Sequence, residues 1–295
     1  MENGMRKLLF LRAFVVGFLI GAVVVLFSYI VVNFYRKSVF VSEAFHAISF
    51  DPRLNYPETR KKVRKAFVVI EDSGTPKTPE EKFITAVQYY KEGEIDKATS
   101  LLYDITKYYP NFCDAYAYLG YILCYEGEDD DNLVVRLFEK AIKCNPEKSL
   151  FYTWLGSYYK NRISPENEKE YKEKARECYE KALNLNPDDV SAWNNYGNLL
   201  VDLKNYDEAE KIYKKAIEIF PNIGIPQYNL ATLMALKGDK DSALKWLKEA
   251  LKYKPELRKE AKEDNDFSIL RDDPRFQELI YNRVKEEIDT TLSED

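Results

Sequence analysis

The sequence predicts an all-α protein: a solenoid of about five helix-turn-helix repeats, with capping helices behind it and a single transmembrane helix in front. Three observations predict this. Prolines recur 34 residues apart at Pro187, Pro221 and Pro255, with alanines in step at Ala182, Ala216 and Ala250. A period of that length is one supersecondary unit stacked on copies of itself. Between these marks the apolar spacing is helical, as in Ala209, Tyr213, Ala216, Ile217 and Phe220. Near the start, Ala13–Val32 runs for twenty residues without a charge, about 30 Å as a helix and enough for a bilayer core.

Taken in order, residues 1–12 form a short tail with Arg6, Lys7 and Arg12, and residues 13–35 form the transmembrane helix. Tyr29, Phe34 and Tyr35 suit its interfacial belt. A cleaved signal peptide fits less well, because the apolar run ends in Val31-Val32-Asn33-Phe34-Tyr35 without a small-residue cleavage site. The basic tail predicts a cytoplasmic N-terminus and a main domain on the far, periplasmic side, rather than the reverse. Gly17 and Gly21 form a G-x-x-x-G pair that would let two such helices approach and dimerise.

Residues 36–78 read as a tether with one short amphipathic helix from Pro57, placing Val63, Ala66, Phe67 and Ile70 on one face. Arg60, Lys61, Lys62, Arg64 and Lys65 occupy its other faces. Such a helix either rests on anionic lipid or packs on the main domain with its basic face in solvent. Ser73–Pro79 is rich in helix breakers and marks the start of the repeats.

The repeats run over residues 79–257, and 258–295 close the array. The unit Val190–Ile223 carries Trp193, Tyr196, Gly197 and Leu200 in its first helix and Ala209, Tyr213, Ala216 and Pro221 in its second. This pattern resembles the tetratricopeptide repeat (TPR) family. The next unit repeats it with Leu230, Ala231, Ala243, Leu247, Ala250 and Pro255, but has Gln227 where a large apolar residue is usual. Weaker copies precede it, through Tyr152, Gly156, Ala175, Tyr179 and Pro187, then Tyr116, Gly120, Phe138 and Pro146, then Ala86, Tyr89, Ala98 and Pro110. Two spacings depart from 34: Pro110 to Pro146 is 36, and Pro146 to Pro187 is 41. The seven extra residues predict a lengthened second helix from Pro165 to Leu185, with Ser164 as its N-cap.

The composition excludes several kinds of chemistry. Eleven glycines in 295 residues leave little room for glycine-rich phosphate loops, and no Walker, G-x-S-x-G or H-E-x-x-H motif occurs. His46 is the only histidine and lies outside the repeats. The four cysteines show no C-x-x-C spacing, although Cys113 and Cys144 fall at adjoining ends of one helix pair, where a bridge is conceivable. The acidic run Glu126–Asp131 lacks the alternating ligands of a calcium loop. No catalytic residue, metal site or cofactor is therefore predicted, and the chain reads as a non-enzyme. A net charge of −5 argues against a nucleic-acid partner. That charge divides into +6 over residues 1–79 and −11 over the remainder.

The family resemblance implies protein or peptide partners held in a concave groove made by the first helices. The matching positions are Tyr90, Tyr121 and Tyr125 at one end, Asn194 and Asn198 in the middle, and Tyr228 and Asn229 beyond. Asn198 and Asn229 stand where some relatives grip a peptide backbone, and an amide both donates and accepts there. Asn194 stands where a carboxylate-clamp relative would have lysine, so that ligand is not expected. The resulting expectation is a membrane-anchored scaffold or adaptor in envelope assembly or maintenance. A cytoplasm-facing adaptor, or a structural homo-oligomer without a peptide ligand, is the alternative.

Overall fold

The computed structural model describes residues 37–45, 57–72, 75–126 and 131–281. The predicted span at 13–35, the Gly17/Gly21 pair, His46 and positions 127–130 of the acidic run lie outside the described residues. No helix among the described residues is long and apolar enough to cross a membrane. The chain divides into two compact units, Met1–Glu126 and Gly127–Asp295. Every regular element among the described residues is a helix.

In the first unit, residues 37–45 are helical (α1), followed by α2 (Pro57–Asp72), α3 (Pro79–Lys91), α4 (Ile95–Tyr108) and α5 (Cys113–Glu126). Each of α2 to α5 packs on its neighbour in sequence. The amphipathic face predicted for α2 is the buried one: Val63, Ala66, Phe67 and Ile70 are all in the core. Phe67 meets the Tyr89 ring edge-on at 6.1 Å. The segment predicted as a tether also contains α1, which docks on the first repeat through Phe45, 5.9 Å from Phe83 and 5.6 Å from Phe112 between ring centroids.

One polar contact fixes that docking. Thr78 caps α3 by accepting from the Glu81 N–H at 3.2 Å, while the Glu81 carboxylate accepts from the Lys77 N–H at 2.8 Å and from the Lys37 ammonium at 2.9 Å. Burial pushes the Glu81 carboxyl upward. The Lys77 N–H and the Lys37 ammonium outweigh it, so the group is held below the usual carboxylate range. A carboxylate so satisfied belongs at a helix N-terminus.

The second unit holds α6 (Asp131–Cys144), α7 (Ser149–Asn161), α8 (Glu168–Leu185), α9 (Val190–Asp202), α10 (Tyr206–Ile219), α11 (Ile225–Leu236) and α12 (Lys240–Tyr253). Consecutive helices pack together, and the first helices also touch in order, α7 with α9 and α9 with α11. Contacts confined to near neighbours are the mark of stacked hairpins. Each repeat proline lies two residues beyond a second helix: Pro146 after Cys144, Pro187 after Leu185, Pro221 after Ile219 and Pro255 after Tyr253. The residue before proline avoids the α region, which ends the helix there.

The hairpins close through small residues. Gly156 and Gly197 face the rings of Tyr179 and Tyr213, where an added Cβ would sit 2.9 Å and 2.3 Å away. Behind the array, α13 (Leu257–Glu263), a 3₁₀ turn (Asn265–Leu270) and α14 (Pro274–Tyr281) bury Phe267, Leu270 and Phe276.

One predicted boundary is corrected. The lengthened helix begins at Glu168 rather than Pro165, and Ser164 does not cap it. The Asn167 side chain accepts from the Ser164 N–H at 2.8 Å and donates to the Arg162 carbonyl at 3.0 Å, holding residues 162–167 as a closed turn. Of the seven inserted residues, four lengthen the helix, 18 residues against 14 in α10. The other three lengthen the turn, 162–167 against 203–205.

Candidate functional site

The predicted binding residues fall into two sets, one in each unit. In the first unit, α3 and α5 bring tyrosines together. Tyr118 is fully buried and packs edge-on against Phe83 at 5.4 Å. Tyr90 crosses Tyr118 at 6.3 Å and Tyr121 at 6.1 Å, both near 90° (90° and 82°). Tyr121 lies 5.8 Å from Tyr118 and 4.7 Å from Tyr125. Helical spacing explains the row, because residues three and four apart share a face. Burial decreases along it: Tyr118 is enclosed, Tyr90 and Tyr121 are half-buried, and Tyr125 is 49% exposed. The result is a set of braced rings that ends in solvent. Tyrosine loses little rotamer freedom on contact and offers both apolar area and a hydroxyl, which suits it to protein recognition.

Tyr118 is the member that sequence reasoning missed. Its spacing to Tyr121 and Tyr125 was the available signal, since three and seven residues are one and two helical turns.

In the second unit the first helices carry polar side chains joined across repeats. Thr153 on α7 donates to the Asp189 carboxylate at 2.7 Å, and Asp189 caps α9 by accepting from the Ala192 N–H at 3.0 Å. Ser157 accepts from the Asn195 amide at 2.9 Å and from the Tyr179 hydroxyl at 3.3 Å. The Asn229 amide on α11 donates to the side-chain Oδ1 of Asn194 at 3.4 Å. Asn198 accepts from the Tyr213 hydroxyl at 2.6 Å, and its amide NH₂ makes no bond among the described residues. Asp189 and Asn195 were not foreseen. A cap residue and an asparagine one position from the expected register give no distinctive signal.

Tyr228 is placed differently from its companions. It is 8% exposed, its ring lies 5.6 Å from Phe267, and its hydroxyl donates to the Asp264 carboxylate at 2.8 Å. Burial, then the Asp264 carboxylate, raises this phenol far above its usual range. Its contacts hold the closing segment to α11. The neutral, bonded asparagines offer hydrogen bonds but no acid, base or nucleophile. Among the described residues, no group of His, Cys, Asp and Glu is arranged to hold a metal.

The cysteines are of two kinds. Cys113 and Cys144 are disulfide-bonded, while Cys124 and Cys178 are thiols outside any disulfide. Burial, with Glu177 beside it, pushes the Cys178 thiol up to about 12.

Comparison with known proteins places the repeats in sequence. Residues 188–256 match the model described as "Tetratricopeptide repeat", and residues 171–203 match "TPR repeat". The chain is similar to human tetratricopeptide repeat protein 21B, 29% identical over 212 residues, which cover 71% of this chain and 15% of that protein. It is also similar to the peroxisomal targeting signal receptor of Saccharomyces cerevisiae, 36% identical over 59 residues, 20% of this chain and 10% of the receptor. The chain thus spans only a small part of the curated relatives it matches. Among solved structures it resembles TTC0263, a thermophilic TPR protein of Thermus thermophilus, with a TM-score of 0.53 and 23% identity over 62% of this chain and 96% of that one. The chain carries tetratricopeptide repeats on an all-α fold of stacked helical hairpins.

Proposed function

We propose that this protein is a single-pass, membrane-anchored TPR scaffold that binds protein or peptide partners, with its repeats on the extracytoplasmic side and a role in envelope assembly or maintenance. The observation that carries the binding reading is the braced tyrosine row, which ends in the exposed Tyr125 ring. A rigid, half-dry aromatic surface binds with little ordering cost. Asn198 adds an amide NH₂ that suits a peptide carbonyl. The similarity of a short stretch to a targeting-signal receptor favours the same reading. No catalytic role is assigned to any residue.

The anchor rests on the uncharged run within 13–35. The disulfide-bonded Cys113 and Cys144 support an oxidising compartment for the repeats, since such bonds persist chiefly outside the cytosol. Labelling of Cys124 on intact cells by an impermeant thiol reagent tests this orientation. Reaction only after lysis, by a thiol that is open to reagent in the purified protein, places the repeats inside.

Affinity capture from detergent-solubilised membranes tests the site. Partners held by the wild type should be lost from Tyr121→Ala/Tyr125→Ala and weakened by Asn198→Ala. Recovery of the same partners by all three proteins defeats the assignment. The Gly17/Gly21 pair favours a second reading, a homodimer through the span. Disulfide crosslinking of Gly17→Cys would then trap dimers in membranes, and its failure removes that reading.

A further inference from the structure

Helix α2 has two faces. One is buried in the first unit through Val63, Ala66, Phe67 and Ile70. On the other, Lys61, Lys62, Arg64 and Lys65 are exposed together with Val68, an apolar side chain 47% open to solvent. Four basic residues on the exposed side give this face a positive potential, which attracts an anionic surface.

The location of this face identifies that surface. The Lys65 ammonium lies 4.0 Å from the centroid of the Phe40 ring, so the basic stretch of α2 runs beside α1. Phe40 stands three helical steps, about 4.5 Å, beyond Lys37. Lys37 is two residues, at most about 7 Å of chain, past the apolar stretch that ends at position 35. Phe40 is therefore within about 12 Å of the end of the predicted span, a distance comparable to the headgroup layer plus one Debye length. The Lys37–Glu81 ion pair and the Phe45 contacts hold α1 against the first repeat, so this proximity is built into the unit.

We infer that the exposed face of α2, formed by Lys61, Lys62, Arg64, Lys65 and Val68, docks on the anionic phospholipid headgroups of the same bilayer that holds residues 13–35. The inference rests on the anchored reading above. Charge complementarity supplies the attraction, about five-fold in docking equilibrium for each basic residue at the surface. Val68 enters the boundary between headgroups and acyl chains, as apolar residues of interfacial helices do.

The test uses the full chain with Cys124→Ser, Cys178→Ser and Val68→Cys, the last carrying an environment-sensitive fluorophore. It is reconstituted into nanodiscs of phosphatidylcholine, or of phosphatidylcholine mixed with phosphatidylserine, each containing a nitroxide-labelled lipid. Quenching of the probe is expected in the mixed discs only, and should be reversed by high salt. Lys61→Gln/Lys62→Gln/Arg64→Gln/Lys65→Gln should weaken docking on the order of a hundred-fold or more. Absent quenching, or equal quenching in both lipids, overturns the inference. The salt titration needs no change to the basic residues and reads the same attraction if the four-fold variant misfolds. Alkaline extraction of the same samples separates the two readings. A chain released from the bilayer defeats the anchor, whereas a retained chain without lipid-specific quenching defeats only the docking face.

Discussion

The side chain of Gln227 donates to the carbonyl of Pro221 at 2.6 Å, six residues earlier in the chain. Trp193 does the same to Pro187 at 2.7 Å, and Tyr152 to Pro146 at 3.1 Å. An amide, an indole and a phenol thus serve one purpose at one repeat position, securing the turn that leads into each first helix. What that position needs is a donor of sufficient reach, which explains a polar Gln227 that is only 2% exposed. Its Oε1 is buried without a partner, so the site is already demanding. Gln227→Glu removes the donor and faces a carboxylate toward a carbonyl. We expect a loss of about 3 kcal/mol at neutral pH. The folded-state pKa of the new carboxyl would rise above its unfolded value of about 4.3. The loss is therefore small below pH ~4 and grows as pH rises. Urea denaturation of variant and wild type at both pH values checks this, and an equal difference at each pH contradicts it.

Gly197 leaves no room for a methyl group, since an added Cβ would lie 2.3 Å from the Tyr213 ring. One repeat later the same two positions hold Ala231 and Leu247. Gly197→Ala should cost about 1–3 kcal/mol through overpacking. Combined with Tyr213→Leu it should cost less than the sum of the two single changes. A double-mutant cycle of denaturation free energies measures the coupling, and strict additivity would show that the ring is not the obstacle.

Lys204 is the one non-glycine residue among those described with positive φ, at 59°. Its counterpart 34 residues on is Gly238, at 83°, and the corresponding turn of the first hairpin has Gly93, at 79°. A side chain in this region costs about 1–2 kcal/mol, offset in part by the greater freedom of glycine in the unfolded chain. Lys204→Gly is therefore expected to stabilise the protein by about 0.5–1 kcal/mol. A lower melting temperature for the variant would show that Lys204 contributes something beyond its backbone.

Cys178 should behave as an unreactive thiol. With its pKa pushed to about 12 by burial, it remains protonated at neutral pH, and the thiolate is the reacting form. Its alkylation in native protein, followed in a Cys124→Ser background, should be far slower at pH 8 than after unfolding. The rate should climb about ten-fold per pH unit as far as the fold survives. A native rate near that of a free thiol would disprove the burial argument.

The repeat boundaries were legible because proline acts locally. Pro146, Pro187, Pro221 and Pro255 each end a helix through their own ring, and no tertiary context is needed to see it. The buried face of α2 was legible for a similar reason, as its spacing is regular over several turns. Helix α1 was not foreseen, because nine described residues are too few for a period and it is held by Phe83, Phe112 and Glu81 from distant positions. The start of α8 was misread for the opposite reason. Ser164-Pro165-Glu166 carries every local sign of a helix start, and the Asn167 side chain overrides it by closing a turn first. At the candidate site, the sequence located tyrosines and asparagines but not their bonds. Whether Asn194 faces a ligand or Asn229, and whether Tyr228 lines a surface or pins Asp264, depends on residues 35 and 36 positions away.

The insertion before α8 has a practical consequence. Ala175, Tyr179 and Ala182 are buried in the same register as Ala209, Tyr213 and Ala216, so the hairpin is indexed from its proline-bounded end. All added length accumulates at the opposite tip, around residues 162–172, where the chain returns without disturbing the layers below. That tip is a natural graft point. An epitope, a fluorescent module or a purification handle placed there would extend outward and leave the stack intact, at the hairpin that already carries the longest tip of its unit.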